Sequence, residues 1–132
     1  MKNSDVGRIG EDLASRYLVG RGYTIVDRNY RMVFGELDII AKCVNSTLVF
    51  VEVKTMTAQG SREAILPEDQ MTSHKISKLK RVAQFYANKH PELVCDARGW
   101  RIDVVAISLP KFVPGASKDF YSSAIVRHYE NI

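Results

Sequence analysis

Gly35-Glu36-Leu37-Asp38-Ile39-Ile40-Ala41-Lys42-Cys43-Val44-Asn45-Ser46-Thr47-Leu48-Val49-Phe50-Val51-Glu52-Val53-Lys54-Thr55 is the stretch whose reading decides the fold. Its second half, Leu48 to Val53, is rich in apolar, β-branched and aromatic residues, and Asn45-Ser46 offers a turn between two such runs. A β-hairpin is the simplest structure with that pattern. Charges interrupt the apolar runs at Glu36, Asp38, Glu52 and Lys54. Side chains alternate faces along a strand, so Glu36, Asp38 and Ile40 are expected on one face of the first strand. Phe50, Glu52 and Lys54 are expected on one face of the second. Leu37, Ile39, Val49, Val51 and Val53 take the opposite faces as core. Two carboxylates and an ammonium then converge where two adjacent strands end.

Carboxylates are expensive to bury unless they are paired or bind metal. One reading of the cluster is a cross-strand ion pair, Asp38 or Glu52 with Lys54, on a solvated sheet face. The other is a divalent-metal site. Hard cations such as Mg²⁺ take carboxylate oxygens, and a nearby lysine can orient or help activate a water. An acidic residue on one strand followed by Glu-x-Lys on the next, at hairpin spacing, is the pattern that the second reading needs.

The 132 residues suit one domain with a single sizeable core. An apolar fraction of 45% and a charged fraction of 26% are ordinary for a globular protein. The formal net charge of +4 favours polyanion partners only mildly. The two cysteines, Cys43 and Cys95, lie far apart without metal-ligand spacing and read as reduced thiols, which suits a cytoplasmic protein. The N-terminal Met-Lys-Asn-Ser-Asp lacks the apolar core of a signal peptide, and no run approaches transmembrane length, so no membrane partner is expected.

Upstream of the hairpin, Ser4 or Asp5 can cap a helix running to about Gly20, with Val6, Ile9, Leu13, Tyr17 and Leu18 as its buried stripe and Gly22 as its stop. Glu11 borders that stripe. On position alone it reads as a solvated helix charge, although Gly7 and Gly10 thin the helix surface beside it and could admit another backbone or a ligand. Tyr23 to Arg31 reads as a first strand, with Arg28 and Arg31 facing solvent and Asn29 suited to a strand end or turn. Downstream, Met56 to Thr72 reads as a mobile loop with room for a short helical turn, placed where a substrate-contacting flap could sit.

Thr72 or Ser73 can cap a second helix ending before Pro91, with Ile76, Leu79, Val82, Ala83 and Tyr86 inward. His74, Lys75, Lys78, Arg81 and Lys89 gather along one flank. Such a flank is either a solvated face or a phosphate-binding stripe. Its single sign helps solubility less than mixed charge does. A stripe of this kind reads duplex backbones through charge and carries no sequence preference. Gly99 to Leu109 forms a further strand, with Trp100, Ile102 and Val104 on one face and Arg101, Asp103 and Val105 on the other. Arg101 and Asp103 read as a structural pair. Phe120 to Tyr129 forms an edge strand or a helix, and the tail charges Arg127, His128 and Glu130 carry little signal. The order of elements is that of an α/β fold with a mixed central sheet flanked by helices. The sequence lacks glycine-rich phosphate fingerprints, paired CxxC motifs and any arguable Ser-His-Asp or Cys-His constellation.

The order of elements resembles the αβββαβ(β) core of restriction endonuclease-like proteins. Asp38 followed by Glu52-Val53-Lys54 resembles the PD-(D/E)XK nuclease signature. More narrowly, the chain is similar to the YraN-like family, grouped with the endonucleases and related to archaeal Holliday-junction resolvases. The matching pieces are Gly7-Arg8-Ile9-Gly10-Glu11-Asp12-Leu13-Ala14, Asn29-Tyr30-Arg31, Gly35-Glu36-Leu37-Asp38-Ile39-Ile40, Phe50-Val51-Glu52-Val53-Lys54-Thr55 and Arg101-Ile102-Asp103-Val104-Val105. No proline precedes Asp38, and Thr55-Met56-Thr57 stands where the family often has a basic residue.

The resemblance implies that Asp38 and Glu52 ligate a Mg²⁺ or Mn²⁺ ion, that Lys54 positions the attacking water, and that Glu11 completes the acidic cluster. It implies hydrolysis of DNA phosphodiesters, with structured or branched DNA as substrate and a homodimer as the assembly. Lys75, Lys78, Arg81 and His74 are the expected phosphate contacts. Two other classes stand beside that reading: a nucleic-acid-binding module on a nuclease-like fold without catalysis, and a structural or partner-binding protein whose charges are merely solvated. The Asp38, Glu52 and Lys54 set is what separates the first class from these.

Overall fold

The computed structural model describes residues 3–57, 71–110 and 123–132. Helix α1 spans Asn3–Gly20, followed by strands β1 (Thr24–Met32), β2 (Gly35–Lys42) and β3 (Leu48–Thr57). Helix α2 (Ser73–Lys89), a short 3₁₀ turn at Pro91–Leu93, and strands β4 (Trp100–Leu109) and β5 (Ile125–Tyr129) complete the order. The strands form a five-stranded sheet in sequence order. β3 and β4 pair in parallel, and the other neighbouring strands pair antiparallel. The expected mixed sheet with two flanking helices is therefore present. The loop expected between Met56 and Thr72 falls mostly on residues outside the described ones, as does the start of the stretch expected from Phe120. The rest of that last stretch is strand β5.

Each helix covers one face. Ala14 and Leu18 of α1 are fully buried against Ile39, Val49, Val51, Val105 and Ile107. Val82, Ala83 and Tyr86 of α2 are buried against Leu37, Ile40, Phe50 and Ile102. Alternation along β3 and β4 holds, because consecutive residues divide between the two cores. It breaks in β2, where Leu37 and Ile40 both join the α2 core while Ile39 joins the α1 core. The expectation that Leu37 shares a face with Ile39 is thus corrected. The break falls at Asp38, beside Asn29 of β1, which adopts φ 54° inside its strand.

Local chemistry fixes the ends. Thr72 accepts a hydrogen bond from the Lys75 amide at 3.2 Å and caps α2. In the β2–β3 turn, the Asn45 side-chain oxygen accepts from the Thr47 amide and hydroxyl at 3.1 and 2.7 Å, and Ser46 takes a left-handed φ of 70°. α1 begins at Asn3, so Ser4 and Asp5 lie within its first turn rather than capping it. There Asp5 complements the helix dipole and pairs with Arg8 at 3.3 Å.

On the α1 face, one carboxylate is buried completely. Asp103 Oδ1 accepts from Arg101 Nε at 2.9 Å and from the Asn131 amide at 3.0 Å, while Oδ2 accepts from His128 Nε2 at 2.7 Å and Arg101 Nη2 at 3.2 Å. With its proton on Nε2, His128 also accepts from the Tyr17 hydroxyl at Nδ1, 3.0 Å away. The pair read from the sequence is present, but it sits in a network that ties α1 and the C-terminal residues to β4. Burial alone would raise the Asp103 pKa. The bonds from His128, Arg101 and Asn131 outweigh it and hold the group below its ordinary value.

A depressed carboxyl pKa stabilises the fold above the ordinary carboxylate value, and that stability is lost as pH falls through the depressed one. Asp103→Asn is expected to destabilise the protein by about 3–5 kcal/mol at neutral pH, as for a broken buried ion pair. It is also expected to flatten the stability profile below about pH 4 relative to wild type. Urea unfolding at pH 3 and pH 7 checks both expectations, and equal midpoints for variant and wild type at pH 7 would refute them.

Candidate functional site

The site lies where the sheet divides. The β2–β3 ladder ends at the pair Ile39↔Val51. Beyond it, β1 and β2 continue together to Met32↔Gly35, and β3 and β4 continue to Thr57↔Leu109. The two strand pairs therefore separate, and Asp38 and Glu52 are the first residues past the last shared pair. Separation would leave the Val53 amide without its β2 partner. Asp38 Oδ2 fills that place, accepting from it at 2.9 Å. Asp38 is thus held between the strands, which is why simple alternation misplaces its neighbours.

Glu52 and Lys54 follow the parity expected of them and project together on the α2 side, with Lys54 Nζ 3.5 Å from Glu52 Oε1. Glu52 lies beside Asp38, close enough for a proton held by one carboxyl to be shared with the other. Burial raises the pKa of both carboxyls. For Glu52 the neighbouring Asp38 charge adds to burial, Lys54 opposes it, and the value is pushed up to about 7. For Asp38 the Val53 amide works against burial, and the net direction is still upward. Two like charges in a poorly solvated place, with one ammonium between them, leave the site short of positive charge.

Glu11 approaches from α1. The backbone of that helix comes so close to β3 that a Cβ at Gly10 would overlap the Thr55 side chain. Of the two α1 glycines noted in the sequence, Gly10 therefore serves close approach, whereas the space around Gly7 is open. The Asn29 side-chain amide faces Glu11, and with its nitrogen oriented toward the carboxylate, the orientation that gives both groups a partner, it donates to Oε1 at 2.9 Å. Burial, then the charge of Asp38, raises the Glu11 pKa, and Arg28 opposes them. Arg28 is no mere solvent-facing charge, since its Nη2 lies 2.9 Å from Asp12 of α1. Asn29 and Arg28 are the site residues that sequence reasoning missed. The available signal was an Asn-Tyr-Arg piece inside an otherwise regular strand, where the asparagine tolerates the left-handed backbone.

The divided strands open into a cleft of about 830 Å³. The β1–β2 hairpin from Arg31 to Glu36 forms one wall, Glu52 and Lys54 lie on the floor, and α2 forms the other wall. His74, Lys75, Lys78 and Arg81 all line that helical wall, as the one-sided flank implies. Lys89 does not belong to it; its Nζ sits 4.9 Å from the centre of the Phe85 ring. Among the described residues, no three His, Cys, Asp or Glu side chains are arranged as a ready metal cage. No helix among the described residues is long and apolar enough to cross a membrane.

Residues 10–107 match the model of a family described as "Uncharacterised protein family UPF0102". The chain belongs to that family. A UPF0102 protein of Clavibacter michiganensis subsp. michiganensis is 40% identical over 111 residues, covering 83% of this chain and 87% of the relative. One from Alkaliphilus oremlandii is 42% identical over 112 residues, covering 81% and 87%. One from Dictyoglomus turgidum is 34% identical over 109 residues, covering 83% and 86%. The YraN-like resemblance read from the sequence agrees with membership of UPF0102. The matched segment contains Glu11, Asn29, Asp38, Glu52, Lys54 and the basic wall of α2.

Two outcomes follow from the electrostatics. A raised carboxyl pKa favours the folded state while the group is protonated, and that advantage is lost as pH rises through the raised value. Metal-free wild type is therefore expected to lose on the order of 2–3 kcal/mol between pH 5 and pH 8 from Glu52. Glu52→Gln should remove that slope and melt higher than wild type at pH 8; thermal melts in chelator across this range check it, and parallel profiles would count against it. Separately, if the basic wall binds phosphates, Lys75→Ala, Lys78→Ala and Arg81→Ala together should reduce the log-log salt slope of duplex binding. The reduction should be roughly 0.9 for each phosphate that is no longer neutralised. An unchanged slope would mark the wall as a solvated face.

Proposed function

We propose that this UPF0102 protein is a metal-dependent endonuclease of the restriction endonuclease-like kind, hydrolysing phosphodiester bonds in DNA, with branched or structured DNA as its substrate. The observation that carries the reading is the placement of Glu52 and Lys54 on the floor of a cleft with a basic wall, with Asp38 held beside Glu52 by the Val53 amide. Carboxyls that burial pushes up, Glu52 further by the Asp38 charge and Asp38 further by the Glu36 charge, are a poor resting arrangement without a cation. Their oxygens form a hard donor set that suits Mg²⁺ or Mn²⁺. Asp38 and Glu52 would hold the ion, and Glu11 would add its charge from the α1 side. A divalent cation bound there supplies Lewis-acid polarisation of a phosphate oxygen and a water of lowered pKa.

The side chains themselves do the remaining work. Lys54, held by Glu52, places an ammonium where it offsets charge building on the reacting phosphate and orients the attacking water. His74, Lys75, Lys78 and Arg81 bind flanking phosphates and set the strand along the cleft. Asn29 fixes the Glu11 carboxylate. A homodimer in the cytoplasm would fit the proposed substrate.

A second reading, a DNA-binding module without catalysis, draws on the 3.5 Å Glu52–Lys54 pair and on the lack of a third ready ligand among the described residues. Cleavage of linear, flapped and four-way-junction DNAs with Mg²⁺, Mn²⁺ or chelator separates the two. The nuclease reading expects metal-stimulated cleavage by wild type. Asp38→Asn should abolish it while leaving metal-free DNA binding equal or slightly tighter. Lys54→Ala should lower the rate by ~10²–10³ with a small effect on binding. Metal should raise the melting temperature of wild type at pH 8 but not that of Asp38→Asn. The binding-module reading expects no cleavage from any preparation, and folded variants that cleave as fast as wild type would remove these residues from the chemistry.

A further inference from the structure

The β1–β2 hairpin carries a feature that phosphate binding does not use. Met32 pairs with Gly35, so Val33-Phe34 is the complete two-residue turn. Turns of that length favour Asn-Gly, Asp-Gly or a leading glycine, because their backbones are left-handed. Neither Val33 nor Phe34 is left-handed, and neither residue is a turn former. Val33 is fully exposed and Phe34 is also exposed. Two large apolar residues in water at the tip of a hairpin run against both turn chemistry and burial, which is the kind of local contradiction found at functional positions.

The tip is not loose. The Phe34 ring meets the edge of Phe85 on α2 with centroids 5.7 Å apart at 84°. Phe34 is thereby fixed to α2, while the Val33 side chain is fully exposed. Both residues line the cleft that holds Glu52 and Lys54, opposite Lys78 and Arg81. A polyanion drawn along the basic wall would meet the apolar tip directly. In a nucleic acid, the apolar counterpart of such a tip is the face of a base, which is available only where stacking is interrupted.

We infer that Val33-Phe34 is a wedge that occupies the gap between unstacked bases of bound DNA, so that the cleft selects branch points over continuous duplex. Phe34 supplies the anchored ring and Val33 the leading apolar surface. The basic wall provides affinity for any duplex; the wedge provides the preference for interrupted stacking, because unstacking is least costly at a junction or flap. This inference rests on the nuclease reading and assigns the substrate determinant of the same cleft.

The test uses the full-length protein in chelator, with four-way-junction and flapped DNAs carrying 2-aminopurine at the branch point, and a continuous duplex of the same sequence. Wild type is expected to bind the branched DNAs more tightly and to raise the 2-aminopurine fluorescence on binding. Val33→Ser/Phe34→Ser should lose about ten-fold more affinity for branched DNA than for duplex, the scale of a single stacked base, and should lose the fluorescence rise. Val33→Ser alone, at a fully exposed side chain, should show part of the same loss without a change in melting temperature. Lys75→Ala/Lys78→Ala/Arg81→Ala should weaken both kinds of DNA equally. If the double variant keeps the branch preference and the fluorescence rise, the wedge is overturned. Equal wild-type binding to both kinds of DNA overturns the wedge and leaves the nuclease reading standing, whereas no binding to either overturns both.

Discussion

The 2.9 Å hydrogen bond from the Val53 amide to Asp38 holds together the arrangement on which the site depends. A strand that leaves its neighbour exposes a row of amides and carbonyls, and each unpaired buried group is destabilising. Here β2 leaves β3 after Ile39↔Val51, and a side-chain carboxylate takes the place of the missing backbone acceptor. The sheet can therefore divide without an orphaned amide at the point of division. The cleft, its wall of hairpin and its wall of helix all follow from that division. The same bond fixes Asp38 beside Glu52, so the group that permits the opening is also the group that charges it.

Packing on the two faces then determines what reaches the opening. On one face, a Cβ at Gly35 would come within 2.6 Å of Val82 Cγ2, so α2 lies tight against the start of β2. That closeness turns the basic flank of α2 toward the cleft. On the other face, Gly10 lets α1 press onto Thr55, and the next residue, Glu11, comes under the influence of Asp38. Larger residues at these positions would require the helices to move outward or their neighbours to shift. Both contacts bring charge toward the point where the sheet divides.

Much of this was legible in the sequence because it follows from period and capping. The order of elements, the β2–β3 hairpin with its Asn45-Ser46 turn, the Thr72 cap, the faces of β3 and β4 and the one-sided flank of α2 are local patterns. The parity of β2 was not legible. Alternation assumes an unbroken ladder, and β2 changes phase at Asp38 where its ladder with β3 ends and the opposing Asn29 is left-handed. Asn29 and Arg28 were read as turn former and solvent charge because their partners, Glu11 and Asp12, lie on another element. His128 carried little signal for the same reason. Its partners Tyr17 and Asp103 are 111 and 25 residues away in sequence, and no local pattern records such a contact.

The two sets of buried carboxylates show how function and stability divide within one small core. Asp103 has every lone-pair direction filled by a donor, including a two-pronged guanidinium, and its charged form is favoured despite complete burial. Asp38 has one backbone donor and an acidic neighbour, and Glu52 has one ammonium at 3.5 Å. Both kinds of group are removed from water, so burial alone does not distinguish them. Donor supply does. Where the fold fills a carboxylate's acceptors, the group is a structural tie and gains nothing from a further partner. Where it leaves them short of positive charge, the folded chain carries a standing demand for a cation or a proton, and an open, basic cleft leads to it. That contrast, rather than the presence of acidic residues, is the physical reason for placing chemistry at Asp38 and Glu52 and architecture at Asp103.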